Sequence, residues 1–128
     1  MTVGQPRKIM VIDDDSDIRV MLFDLLRSEG YEVATFEKPL EALAKTPDFG
    51  PDIILLDLRM PKMSGMEVLP LIRQAAPKAG IIIISAYGNW DFYVQAREKG
   101  ANDLVTKPFC SKVILDKIRQ VDAERPAA

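Results

Sequence analysis

Ile9-Met10-Val11-Ile12-Asp13-Asp14, Ile53-Ile54-Leu55-Leu56-Asp57 and Ile81-Ile82-Ile83-Ile84-Ser85 decide the fold. Each is an unbroken apolar run that stops on an acid or a hydroxyl. A strand with one wet face alternates apolar and polar residues. A strand apolar at every position suits a parallel sheet covered by helices on both faces. Tyr31 to Phe36 and Leu104 to Thr106 are weaker strand runs at similar spacing, which makes five.

Helical patterns fill the gaps between these runs. From Ser16 to Glu29, Ile18, Met21, Leu22, Leu25 and Leu26 share one face, and Gly30 stops the helix. Leu40 to Ala44 reads as a short helix with Pro39 in its first turn, and Thr46 to Pro51 as a loop. Met66 to Ala76 is a third helix, bent by Pro70. Trp90 to Lys99 is the fourth, with Gly100 as its stop, and Ser111 to Val121 the fifth. On the fourth helix, Trp90, Tyr93 and Val94 at i, i+3, i+4 predict the sheet-facing side, which turns Phe92 to solvent. Strict alternation of five strands and five helices predicts an α/β fold with right-handed crossovers. The expected organisation is one domain over 1–128, its core about 8–121, with tails at 1–7 and 122–128.

Composition narrows the function. Net charge is −2, which leaves no basic footprint for nucleic acid. The longest apolar run is far too short to span a bilayer, and Asp13 breaks the run that follows Arg7 and Lys8, so neither a membrane nor a secretory signal is indicated. Cys110 is the single cysteine, expected to be a small buried or half-buried residue, and a reducing, cytoplasmic setting follows from the lack of any intrachain disulfide. The chain has no histidine, so a metal here must be held by oxygens, which favours Mg²⁺, Mn²⁺ or Ca²⁺ over Zn²⁺.

The chemistry lies at the strand ends. Asp13 and Asp14 end the first strand, Asp57 the third, Ser85 the fourth and Lys107 the fifth. Open parallel sheets bind ligands outside the carboxyl ends of their strands, so residues far apart in sequence converge there. Taken singly, each has an ordinary explanation: Asp14, Asp15 or Ser16 as helix caps, Asp57 as a turn residue, Lys107 as a solvated lysine. Their joint occurrence is the signal. Two carboxylates about 4 Å apart repel by roughly 4 kcal/mol at an effective dielectric of 20, so three of them require a cation or protons. Carboxylate nucleophile, Mg²⁺ and lysine together make a phosphoryl-transfer site.

Four segments then become specific: Ile12-Asp13-Asp14-Asp15, Leu56-Asp57-Leu58-Arg59-Met60-Pro61 with Ser64-Gly65, Ile84-Ser85-Ala86, and Thr106-Lys107-Pro108-Phe109. In order and spacing, they resemble the signature blocks of response-regulator receiver domains in bacterial two-component signalling. The resemblance covers about Lys8 to Val121. It implies a five-stranded sheet of order 2-1-3-4-5 in a flavodoxin-like, doubly wound fold. It makes Asp57 the phosphoacceptor, taking an acyl phosphate from a histidine kinase. Asp14, Asp57 and the backbone carbonyl of Arg59 would hold Mg²⁺ directly (Mn²⁺ as a substitute), with Asp13 acting mainly through water. Lys107 and Ser85 would contact the phosphoryl oxygens, and Lys107–Pro108 would be cis.

Such a protein is a switch that assists its own phosphorylation and dephosphorylation rather than an enzyme with a separate substrate. Its partners would be a sensor histidine kinase and a downstream target or output domain. The second is met through the helix 4–strand 5–helix 5 face, with Phe92 and Leu104 in the patch, or through a phosphorylation-dependent dimer. Arg59 and Tyr87 occupy the positions that flank the attacking water, and their bulk implies slow loss of the phosphoryl group. Leu104 stands where many members carry a Tyr or Phe ring that swings inward on activation. Two other readings compete. A haloacid-dehalogenase-type phosphohydrolase would also carry Asp-x-Asp after a strand, but normally continues Gly-Thr, where Ser16-Asp17 stands here. An inert interaction module would not need the full set of acidic and basic residues.

Overall fold

The computed structural model describes residues 7–58, 64–86 and 88–125, without the side chains of 64 and 65. Arg59, Met60, Pro61 and Tyr87 lie outside the described residues. The five apolar runs are the strands β1 (Lys8–Ile12), β2 (Glu32–Phe36), β3 (Ile53–Asp57), β4 (Gly80–Ser85) and β5 (Asp103–Thr106). They form one parallel sheet in the order β2-β1-β3-β4-β5. The helices between and after them are α1 (Ser16–Ser28), α2 (Pro39–Phe49), α3 (Ser64–Ala75), α4 (Trp90–Glu98) and α5 (Ser111–Glu124).

The apolar runs divide by alternation between two cores. Met10, Ile12, Ile54, Leu56, Ile81 and Ile83 face one side and pack with residues of α2, α3 and α4. Ile9, Val11, Ile53, Leu55, Ile82 and Ile84 face the other, with Leu22 and Leu26 of α1 and Ile114 and Ile118 of α5. Successive side chains on a strand point to opposite faces, so a run with no polar position is what two covered faces demand.

Several expectations fail locally. α2 runs on through Thr46–Phe49, where the sequence predicts a loop, although Pro47 lies inside it. Pro47 forfeits one backbone hydrogen bond, but only one turn remains, and Gly50 ends it at φ 64°, a left-handed cap that glycine adopts without strain. α5 continues to Glu124, so the expected tail begins three residues late. Arg125 holds that end down through Asp52 at 3.2 Å and Asp122 at 2.9 Å. Met21 is 40% exposed and is not part of the buried face of α1. Cys110 is exposed and precedes α5 as its cap residue without a side-chain hydrogen bond.

The largest correction concerns α4. Phe92 is 3% exposed, Ala96 1% and Trp90 72%. The helix is therefore rotated from the expected orientation: Phe92 enters the core and cannot belong to a surface patch. The run Trp90-Asp91-Phe92-Tyr93-Val94 is apolar around most of a turn, so periodicity alone does not choose a face. The small Ala96 one turn after Phe92 lets the helix approach the sheet there, while Trp90 in the first turn stacks against Tyr93 at 5.5 Å between centroids.

Arg73 secures the edge of the sheet away from the polar strand ends. Its guanidinium donates to the carbonyls of Ala79 (2.6 Å) and Gly100 (2.8 Å) and to Asn102 Oδ1 (2.7 Å), and Asn102 Oδ1 also accepts from Ile81 N–H. This ties the end of α3 to the starts of β4 and β5. Gly100 has φ 119°, and a Cβ there would stand 2.9 Å from Arg73 Cβ. No helix among the described residues is long and apolar enough to cross a membrane.

Because Phe92 is core, Phe92→Ala should lower stability by about 3 kcal/mol or more, the usual range for a buried aromatic truncated to alanine. Urea denaturation measures this; a loss under about 0.5 kcal/mol, the scale of an ordinary surface change, would contradict the orientation of α4.

A candidate phosphoryl-transfer site at the strand ends

β1 and β3 are neighbours in the sheet, and their carboxyl ends bring Asp13, Asp14 and Asp57 together. One carboxylate oxygen from each lies within 4.8 Å of the others. Asp13 is 2% exposed, Asp57 is half-buried and Asp14 is exposed. Lys107, from the residue after β5, reaches across β4 to this group. Its Nζ stands 3.1 Å from Asp57 Oδ1 and 3.2 Å from Asp13 Oδ2. Its backbone N–H donates to the Ser85 carbonyl at 2.7 Å. The Lys107–Pro108 peptide is cis, as the resemblance implied.

Ser85 ends β4 and is fully buried. Ile84, beside it, pairs with Asp57. Asp15, one of the cap candidates, is the N-cap of α1: its carboxylate accepts from the N–H of Asp17 at 2.9 Å and of Ile18 at 3.4 Å. The expected site residues Asp13, Asp14, Asp57 and Lys107 therefore meet, and Ser85 lies at the same edge. The Arg59 carbonyl and Tyr87 fall outside the described residues.

Charge in the pocket is poorly balanced. Burial raises the Asp57 pKa above the ordinary carboxylate value, Asp13 and Asp14 push it further up, and Lys107 pulls it back. For Lys107, burial works against its charge, but Asp13 and Asp57 outweigh it and the ammonium is held more firmly than usual. One lysine serves two carboxylates, with a third close by. The donors are all oxygens within reach of one another, and the ionised form of Asp57 is disfavoured. This set fits a hard divalent cation such as Mg²⁺.

The response-regulator receiver-domain family model matches residues 9–119. The chain is a response-regulator receiver domain. A chemotaxis protein CheY of Listeria monocytogenes is 36% identical over 114 residues, covering 88% of this chain and 96% of that protein. A CheY-like receiver-domain protein from Methanospirillum hungatei superposes with a TM-score of 0.86 at 28% identity, over 94% of this chain and 96% of that one. A response regulator from Burkholderia pseudomallei, solved with a phosphorylated aspartic acid, a calcium ion and citrate, matches at a TM-score of 0.81 and 26% identity, over 92% of this chain and 69% of that one. Receiver domains are signalling switches rather than classical enzymes, and the phosphohydrolase and inert-module readings gain no support.

One feature of this receiver domain gave no signal in the sequence. Gly88, in the loop between β4 and α4, lies so close to Thr106 that a methyl group there would collide with Thr106 Cγ2, with Leu104 Cδ2 just beyond. Leu104, in the place of the family's frequent ring, is partly buried against the α2–α3–α4 core. The loop thus rests directly on β5 over an aliphatic side chain.

The raised Asp57 pKa has a definite sign. Folding favours the protonated acid, so the contribution of Asp57 to stability is greatest below the ordinary carboxylate pKa of 3.8 and is lost as pH rises through the folded value. At pH 7 without divalent cation, Asp57→Asn should therefore melt several degrees above the wild type, and the gap should shrink as pH falls towards 4. Thermal melts in EDTA at the two pH values read this out. A variant less stable than wild type at pH 7 would contradict the charge imbalance.

Proposed function

We propose that this receiver domain switches by accepting a phosphoryl group on Asp57 from the phosphohistidine of a sensor kinase. What carries the reading is the position of Lys107 Nζ, 3.1 Å from Asp57 Oδ1 and 3.2 Å from Asp13 Oδ2, beside a third carboxylate. Lys107 bridges Asp57 and Asp13, so a group bonded to the Asp57 carboxylate meets a fixed cation beside a cluster of oxygens able to hold a metal. The relative solved with a phosphorylated aspartic acid and a calcium ion supports the same reading.

In the transfer, an Asp57 carboxylate oxygen attacks phosphorus, the P–N bond breaks, and its electron pair leaves with the imidazole, which takes a proton from solvent. Asp57 attacks in its carboxylate form, which the adjacent Lys107 ammonium favours. Lys107 moves from pairing with the free carboxylate to pairing with phosphoryl oxygens, and Ser85 donates its hydroxyl to another. Asp13, Asp14, Asp57 and the Arg59 carbonyl would hold Mg²⁺. Bound there, the ion would supply positive charge to offset that on the phosphoryl oxygens. Bulk at Arg59 and Tyr87 would hinder water and lengthen the phosphorylated state.

The donor must approach from the open side. A cleft of about 460 Å³ beside Lys107, lined by Ile18, Met21, Ala86, Pro108 and Phe109, offers an apolar seat for the kinase helix that presents the histidine. Output would leave by the α4–β5–α5 face. Ser85 ends the strand from which the loop to α4 departs, so movement of its hydroxyl towards the phosphoryl group displaces the loop resting on Thr106 and shifts α4. The exposed aromatic there is Trp90, and Phe92 plays no surface role.

Acetyl phosphate with Mg²⁺ should add one phosphoryl group, about 80 Da by intact mass, and Asp57→Asn should gain none. EDTA should abolish the addition to the wild type. Labelling of Asp57→Asn would sink the assignment. Trp90→Ala should weaken phosphorylation-dependent self-association or target binding, read by sedimentation or pull-down with a known target, without lowering phosphoryl uptake. Equal association in the variant would remove Trp90 from the output face.

A further inference from the structure

Arg19 is oddly placed for a cation. α1 begins at Ser16, which puts Arg19 at its fourth position, near the positive end of the helix dipole, where acids are favoured and bases are not. Asp17 obeys that preference; Arg19 does not. Helical side chains lean towards the N-terminus, and that of Arg19 does so far enough to pass the start of its own helix. Its Nη1 donates to the main-chain carbonyl of Asp13 at 2.7 Å.

Asp13 is thereby held at each of its polar atoms. Its N–H donates to the Phe36 carbonyl at 3.0 Å. Oδ1 accepts from Asp15 N–H at 2.9 Å and Oδ2 from Lys107 Nζ at 3.2 Å. The carbonyl is the fourth, and a charged donor binds it about twice as strongly as a neutral one would. That carbonyl shares a planar unit with the N–H of Asp14. Fixing the one therefore fixes the other, and with it the direction in which the Asp14 side chain leaves the backbone. Asp14 is the exposed member of the carboxylate group.

We propose that Arg19 is a positioning residue for the divalent cation: by clamping the Asp13 carbonyl it orients the Asp13–Asp14 peptide, and so sets the spacing of the two carboxylates at the end of β1. The inference rests on the metal-assisted reading of the site. It separates from a plain charge effect by sign. A guanidinium near the pocket repels a cation, so removing its charge alone would tighten Mg²⁺ binding. Losing the clamp loosens the ligand set and weakens binding.

Calorimetric titration of Mg²⁺ into wild type and Arg19→Met tests this. The variant keeps the aliphatic stem and removes charge and donors. Its Mg²⁺ dissociation constant should rise about tenfold, the scale on which partners that orient metal ligands act. A merely structural role would lower the melting temperature of the Mg²⁺-free protein and leave the affinity of the folded protein as it was. Unchanged or tighter binding by folded Arg19→Met overturns the proposal while the metal reading stands. Absence of Mg²⁺ binding by the wild type overturns both. Should Arg19→Met not fold, Arg19→Gln, also uncharged and too short to reach the carbonyl, carries the same test.

Discussion

The Lys107 ammonium, placed between Asp13 and Asp57 at 3.2 and 3.1 Å, is the contact on which the polar edge of this molecule depends. Without it, Asp13 and Asp57 would lose the ammonium that each contacts, on an edge where three carboxylates converge. With it, Asp57 still resists ionisation, because burial first, and then Asp13 and Asp14, outweigh the lysine. An ion pair this confined contributes little to net stability, because desolvating the charges offsets much of their attraction. What it does supply is a fixed positive charge within reach of the Asp57 carboxylate. Stability comes from elsewhere, chiefly from the two apolar layers that enclose the sheet.

This division of labour runs the length of every central strand. Residues within the sheet are apolar at each position and fix where the strand ends lie; the first residue beyond the apolar stretch carries function. At the opposite edge, polar residues serve structure. Arg73 ties α3 to the starts of β4 and β5 through carbonyls and Asn102, and Asp52 and Asp122 hold Arg125 at the end of α5. The β4–α4 loop departs from Ser85 at the polar edge. Gly88 against Thr106 sets the resting position of that loop without the aromatic ring common in the family.

The sheet and the meeting of Asp13, Asp14, Asp57 and Lys107 were legible because they follow from strong signals: continuous apolar strands, and polar residues at the same end of each. The strand order followed from the resemblance of the four motif blocks to receiver domains. The face of α4 was not, because Trp90, Phe92, Tyr93 and Val94 satisfy helical periodicity in two orientations, and tertiary packing chose the one that buries Phe92 and Ala96. Pro47 hid the second half of α2, since proline usually ends a helix and here sits close enough to the Gly50 cap to be tolerated. At the end of α5, Arg125 pairs with Asp52, a partner distant in sequence that no local pattern announces. Arg19 does leave a trace, a base near the start of a helix, but its partner is a carbonyl, and main-chain acceptors have no letter in a sequence.

The central claim is that Asp57, and neither of the β1 carboxylates, forms the covalent bond to phosphorus. Borohydride reduction of the phosphorylated protein, followed by peptide mapping, tests it most directly, because reduction converts an aspartyl phosphate to homoserine and marks the residue that carried it. Homoserine at position 57 alone is the predicted result. Homoserine at position 13 or 14 would contradict the account and return the first strand's Asp-x-Asp to consideration as the reacting group.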